Sequence, residues 1–309
     1  MIKEVDFETI DDIGPLIDRY KEKFRESSIS ENFLEQIKTS VSDGRSGLFG
    51  AYDKDQNLKG IGLFGKASAR ILLIYADGNV GIEKQLISEL CNEFLGEYSY
   101  VATGGSWIPW ISAFLSQHLV DIGFVKYNRA YMTIARDQIE SLAEPALPNG
   151  MSFEPYISAK RDEISELTFR GNNGTVDQDV FPDFFGSREN CVRLVENTEE
   201  GRYGLYKEGA SWILRYGTAA TGACFMTIRN EDTGYISDIV IDPDNRGKGL
   251  GRDLIVHSMK QLLESESCIS NIELDVTLSN TARYLYESLG FRTAETYAMY
   301  MFKERPWNQ

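Results

Sequence analysis

Two spacings of apolar residues alternate along this chain. Short runs of β-branched and aromatic residues predict strands, and longer stretches with apolar side chains three and four apart predict helices. Residues 2–7 read as a strand, and Thr9 to Arg25 carries Ile10, Ile13, Leu16, Ile17, Tyr20 and Phe24 at helical spacing. A second helix follows at Glu31–Val41. Gly47–Tyr52 and Leu58–Phe64 predict a hairpin, followed by a strand at Ile71–Tyr75, a helix at Gly81–Leu95 and a strand at Tyr98–Ala102. A helix near Ile108–Ile122 and a strand at Phe124–Ile134 complete this half.

The second half repeats that order. Met151–Tyr156, Gly204–Tyr206, Ser211–Tyr216, Thr221–Ile228, Ile236–Ile241 and Ile272–Val276 read as strands, and Ala159–Phe169, Arg188–Val195, Leu250–Leu263 and Ala282–Leu289 as helices. Gly123-Phe124 with Met132 has the same spacing as Gly290-Phe291 with Met299, and Gly81 precedes Gly251 by nearly the same separation. Two similar folds in tandem follow. The stretch Ala143–Gly150, with two prolines and no periodicity, is expected to link them, giving domains 1–143 and 151–309 joined by 144–150. The pattern predicts an α/β class with a mixed sheet in each half.

One stretch departs from mere patterning. The strand Tyr235–Ile241 ends in Asp242-Pro243-Asp244-Asn245, and Arg246-Gly247-Lys248-Gly249-Leu250-Gly251-Arg252 then runs straight into a helix. Strand, glycine loop and helix start together present bare backbone N–H groups and the positive end of a helix dipole, which suit a phosphate or pyrophosphate. A Walker loop needs Ser or Thr after Gly247-Lys248, where Gly249 stands; the dinucleotide fingerprint needs glycine where Arg252 stands. Downstream, Ala282, Leu285, Tyr286 and Leu289 make an apolar helix stripe, with Ser279 or Asn280 to cap its start and Gly290 to stop it.

Charge and cysteine content narrow the partners. Lys plus Arg number 32 against 47 Asp plus Glu, a net charge of −15 that repels nucleic acid. Arg246, Lys248 and Arg252 are the local exception. Four scattered cysteines and two histidines, His118 and His257, give no metal-ligand spacing. A charged N-terminus and the lack of a long apolar run argue for a cytoplasmic protein with no membrane contact; a monomer or a homodimer is expected.

Arg-x-x-Gly-x-Gly at Arg246, Gly249 and Gly251, followed by one strand and then by Asn280, Tyr286 and Gly290-Phe291, resembles the two signatures of the GNAT superfamily of N-acetyltransferases. The resemblance implies a twisted mixed sheet with helices on both faces, split between its fourth strand, Ile236–Ile241, and its fifth, Ile272–Val276. It implies acetyl-CoA as cosubstrate. Backbone groups of Ile239, Val240 and Ile241 would pair with the pantetheine, and Arg246, Gly247, Lys248, Gly249, Leu250, Gly251 and Arg252 would close around the pyrophosphate. Asn280 would orient the cofactor or tie the split strands, and Tyr286 would act as general acid. By the repeat offsets Arg246 meets Ala76, Gly249 meets Asn79, Asn280 meets Ala113 and Tyr286 meets Leu119, so the first copy is expected to be degenerate.

An amine acceptor must lose a proton, and Asp238 is the candidate base, with Glu273, Asp275 or a water chain as alternatives. The loop Arg170–Gly186 offers Asp177, Asp179 and Asp183 beside Phe181, Phe184 and Phe185. There it would favour a cationic acceptor by charge and ring faces, with little effect on stability when Asp177 and Asp179 are replaced. Trp212 and Tyr216 share a strand face and read as core, and His257 as a boundary residue. The acceptor is a small-molecule or peptide amine; the alternatives are an amino-sugar thiol precursor, as for mycothiol synthases, and a non-catalytic acyl-CoA sensor.

Overall fold

The computed structural model describes residues 1–303 apart from Asp6, Glu26, Ser28, Trp107 and Glu208. Two compact units divide it: Met1–Tyr127 with Tyr297–Gln309, and Asn128–Thr296. The residues after Lys303 that end the expected 151–309 domain, and Asp6 in the expected strand 2–7, lie outside the described residues.

In the first unit, β1 (Ile2–Glu4) is followed by α1 (Gly14–Lys23) and α2 (Phe33–Ser42). The single long helix expected from Thr9 is instead a 3-10 turn, Phe7–Ile13, and a helix that starts at Gly14. Pro15, which has no N–H to donate, sits in the first turn of that helix. Strands β2 (Ser46–Tyr52), β3 (Leu58–Gly65) and β4 (Arg70–Tyr75) form an antiparallel meander. Helix α3 (Val80–Leu95) then crosses over to β5 (Tyr100–Gly104), which runs parallel to β4. After α4 (Ala113–Asp121), the outer neighbour of β5 is Met299–Lys303 at the end of the last strand. Leu48, Ile61, Phe64, Ile71, Leu73, Leu86, Leu90 and Leu119 fill one apolar core.

The second unit begins with the strand that precedes the linker. Arg129–Ala135 of β6 (Val125–Ala135) pairs antiparallel with β12 (Asn271–Thr277), Arg129 opposite Thr277. The division expected at 143–150 falls instead inside β6, after Tyr127, so that Asn128–Ala135 of β6 and the strand after the linker, β7 (Met151–Pro155), belong to one unit. Short helix α5 (Arg136–Glu140) was not foreseen. The linker itself is docked: Lys260 pairs with Glu144 and donates to the carbonyl of Leu142, just before the linker, at 2.7 Å, and Leu147 packs on the core.

The remaining elements are α6 (Arg161–Asn172), α7 (Val176–Val180), α8 (Pro182–Phe185), α9 (Arg188–Glu199), β8 (Leu205–Tyr206), β9 (Trp212–Tyr216), β10 (Ala219–Asn230), β11 (Thr233–Ile241), α10 (Leu250–Ser265), α11 (Ala282–Leu289) and β13 (Arg292–Lys303). The sheet order is β6-β12-β11-β10-β9-β7, with β8 on β10. Helix α10 buries Leu250, Leu254, Ile255 and Met259 with Met226 and Ile236 on one face. On the other, Ile164 and Leu167 of α6 and Val195 of α9 pack with Phe225 and Val240. The expected architecture, a mixed sheet between helices, is the observed one.

Candidate active site

Strands β11 and β12 pair in parallel only at Thr233–Asn271, Gly234–Ile272 and Tyr235–Glu273. Beyond Tyr235 they part. On its other edge β11 stays bonded to β10, with a one-residue irregularity where Phe225 faces Asp238 and Met226 faces Ile236, so that Ser237 is the extra residue of a bulge. The edge of Ile239, Val240 and Ile241 that faces the split has no strand partner among the described residues. Helix α6 can approach this strand because Gly171 has no side chain: a Cβ there would stand 2.2 Å from Val240 Cγ2.

The glycine loop sits at the end of β11. Gly247 and Gly249 have φ of +74° and +80°, the left-handed region that other residues enter at a cost, and a Cβ at either would meet nothing within 4 Å. Gly249 is the N-cap of α10 and supplies no side-chain cap, so the first N–H groups of this long helix lack protein partners among the described residues. Gly251 differs. It lies inside the helix, and its Cβ would make ordinary contacts with Leu285 and Ile241. Leu250 is buried core. The three cations are tied locally: Arg246 donates to the carbonyls of Ile241 (3.1 Å) and Gly171, Lys248 to Asp244 O (2.9 Å), and Arg252 lies 3.6 Å from Asp253.

At the other end of the split stand the titratable groups. Asp238 Oδ2 is buried and accepts no hydrogen bond, and desolvation lifts its carboxyl to about 7, helped by the negative charge of Asp177 and opposed by a hydrogen bond from the Ile239 N–H. Burial likewise pushes the Tyr286 hydroxyl well above the usual tyrosine range, with the charges of Asp177 and Asp238 adding to it and Arg129 opposing. Tyr286 is held edge-on to Phe291, centroids 6.0 Å apart. Tyr286 is thus near enough to Asp238 to feel its charge. Glu273 and Asp275 are engaged elsewhere. Tyr131 donates to Glu273, while Asp275 accepts from Tyr235 at 2.9 Å and pairs with Arg229 at 3.7 Å.

The segment expected to cover an acceptor is built differently. Helices α7 and α8 replace the loop, and Asp177 faces inward, accepting from Thr277 Oγ1 at 2.8 Å and from Asn280 Nδ2. Asn280 in turn caps α11, its Oδ1 accepting from Ala282 N at 2.8 Å. The ring face of Phe181 is covered by the Arg129 guanidinium, 4.6 Å from its centroid, and Phe185 is buried. Asp177 is therefore a structural anion. His257 stacks on Phe153 (3.9 Å, 2° between planes) with its pKa lowered by burial, as suits a packing residue. Trp212 packs against the core as expected, but Tyr216 is 59% exposed at the end of β9.

Comparison with known proteins agrees with this geometry. Residues 177–291 match the model of the acetyltransferase (GNAT) family. The [Ribosomal protein bS18]-alanine N-acetyltransferase of Escherichia coli K12 is 35% identical over 83 residues, 26% of this chain and 53% of its own length. The segment 177–291, which holds the glycine loop, Asn280 and Tyr286, is the part of the chain that is similar to the GNAT acetyltransferases. The chain spans about half the length of the curated relatives it matches. A GCN5-related N-acetyltransferase structure from Sphaerobacter thermophilus covers all of the chain and 96% of its own at 13% identity, TM-score 0.61. A tandem GNAT protein from the clavulanic acid biosynthesis pathway covers 100% and 99% at 12% identity, TM-score 0.56, so the whole chain has the tandem fold.

The first unit carries the same split, filled differently. Strands β4 and β5 pair only at Arg70–Ala102 and Ile71–Thr103, and beyond that point the buried Trp110 donates its indole N–H to Leu72 O at 3.2 Å. Asn79, the counterpart of Gly249, is also an N-cap, but its side chain accepts from Ile82 N at 3.2 Å. The position of Tyr286 is taken by the buried Leu119. Arg129 and Thr277, which tie Asp177 in place, were not foreseen; in a strand that also carries Lys126, Asn128 and Thr133, Arg129 gives no local signal.

Proposed function

We propose that the Asn128–Thr296 unit moves an acetyl group from acetyl-CoA to a primary amine by direct attack. The observation that carries this reading is the pairing of an uncapped glycine loop at one end of a strand split with a buried tyrosine and a buried carboxyl, one oxygen of it unbonded, at the other. The loop fits a pyrophosphate, since Gly247 and Gly249 leave open space before free N–H groups, and the unpaired edge of Ile239–Ile241 fits an amide-bearing arm. Acetyl-CoA supplies a reactive thioester there.

Asp238 takes the proton of the attacking ammonium. A carboxylate with a pKa near 7 is a far better base for that task than an exposed one near 3.9. Tyr286 stays protonated at every physiological pH and donates a hydrogen bond to the sulfur as the C–S bond breaks; the nitrogen's second proton, shed once the C–N bond has formed, passes through that hydroxyl to the departing thiolate and leaves the tyrosine protonated. Asn280 serves as a cap that fixes the helix bearing Tyr286. An amino-sugar acceptor uses the same groups; a sensor would not need the raised Asp238.

The test is thiol release from acetyl-CoA with four probes: a peptide with N-terminal alanine, a lysine peptide, spermidine and kanamycin. Turnover with one of them that falls by on the order of 10²-fold or more in Asp238→Asn supports the reading. Binding of acetyl-CoA with no amine-dependent release would leave only the sensor.

A further inference from the structure

We propose that Arg129, carried on β6 from the first half of the sequence, is a positioning residue of the catalytic site: it holds Asp177 against Thr277 and Asn280, and through them fixes the start of α11. The contacts form one chain. Arg129 Nη1 donates to Thr277 Oγ1 at 2.7 Å and lies 3.8 Å from Asp177 Oδ1. Thr277 Oγ1 donates to Asp177 Oδ1, Asn280 donates to Asp177 Oδ2, and Asn280 Oδ1 receives the Ala282 N–H. Arg129 and Thr277 are 5% and 1% exposed, so their end of the network lies in the interior, while Asp177 and Asn280 are partly buried. Three separate segments meet in it: β6, α7, and the turn from β12 into α11.

Why a charged pair should stand here follows from its neighbours. Asp238 shares its surroundings with Asp177 on α7, Cys191 on α9, Cys224 on β10 and Tyr286 on α11, and none of these brings a positive charge. Glu166 of α6, also near Cys191, is paired with Arg188. Arg129 is the cation that offsets Asp177, so it limits how far Asp177 raises its neighbours. The first half of the sequence thus contributes both a strand of the second unit's sheet and the cation that offsets Asp177 beside the candidate base.

This rests on Asp238 as the base, and the experiment separates the two claims. The carbon-13 signal of the Asp238 carboxyl, assigned by its loss in Asp238→Asn, is titrated in the full chain without substrate. The expected midpoint is near neutral in the wild type. It moves up by roughly half a unit or more in Arg129→Met, moves down in Asp177→Asn, and stays near wild type in Arg129→Lys. Should Arg129→Met fail to fold, Arg129→Gln keeps a donor for Thr277 without the charge and reads the same upward shift. A strut with no electrostatic role would alter melting and leave the midpoint in place, which overturns the proposal while leaving the base reading intact. A wild-type midpoint below about pH 5, closer to an ordinary carboxyl, would remove both.

Discussion

Gly249→Ala separates what the glycine loop does for the fold from what it does for the ligand. The residue sits at φ +80°, and an added Cβ would meet no heavy atom within 4 Å, so the change introduces strain without a clash. A left-handed non-glycine residue costs about 1–2 kcal/mol. For a unit of this size that lowers the melting temperature by about 2–8 °C. Ligand binding loses more than this strain alone, because the Cβ projects into the open space in front of the uncapped N–H groups of α10. One displaced charge-assisted hydrogen bond is worth about 1.5–3 kcal/mol, so CoA should bind on the order of 10- to 100-fold more weakly. Gly251→Ala is the control. Its Cβ meets Leu285 at 3.4 Å and Ile241 at 3.5 Å, both ordinary contacts, and alanine is favoured over glycine inside a helix by about 0.8–1 kcal/mol. Melting should hold or rise, and CoA affinity should stay within about twofold. Calorimetric titration beside thermal melts by circular dichroism reads both. Equal losses of affinity in the two variants, or none in Gly249→Ala, would refute the reasoning.

Other outcomes follow from the same geometry. Tyr286→Phe removes one hydroxyl from a side chain packed on Phe291, so CoA affinity and melting should survive while turnover drops by on the order of 10²–10⁴-fold. Asp238 binds its proton more tightly folded than unfolded, so its contribution is greatest at low pH and is lost as pH rises from about 4 through about 7. Asp238→Asn should therefore raise the melting temperature at pH 8 and change it much less at pH 5; the reverse order would show that the carboxyl is not desolvated. Because Trp110 bonds Leu72 within the first unit's split and Asn79 caps α3, titration with acetyl-CoA should saturate at one site per chain. Two equivalent sites would overturn that account.

Much of the fold could be read from local pattern. The separation of Gly81 from Gly251 also aligns Asn79 with Gly249, and both are N-caps of matching helices, because a cap and its apolar stripe are written within a few residues of each other. Strand exchange could not be read that way. Residues 123–132 and 290–299 carry the same Gly-Phe and Met spacing, so alternation alone cannot say that Arg129–Ala135 pairs with β12 while Met299–Lys303 pairs with β5. The same blindness hid the role of Asp177. An aspartate among Asn, Gly and Phe reads as a solvated loop until Arg129, a cation on a strand far earlier in the chain, is brought to 3.8 Å. Asp238 and Tyr286 could be singled out as candidates because each sits in or beside a motif, whereas the reason for their raised pKa values, burial with the Asp177 carboxylate nearby, needed the folded chain.

A crystal structure of the full chain with acetyl-CoA tests the central claim most directly. The account predicts one bound molecule per chain, its pyrophosphate on the N–H groups of Gly247 to Arg252, its arm along Ile239–Ile241, and its thioester between Tyr286 and Asp238. Density in the first unit's split, or a thioester remote from both side chains, would contradict it.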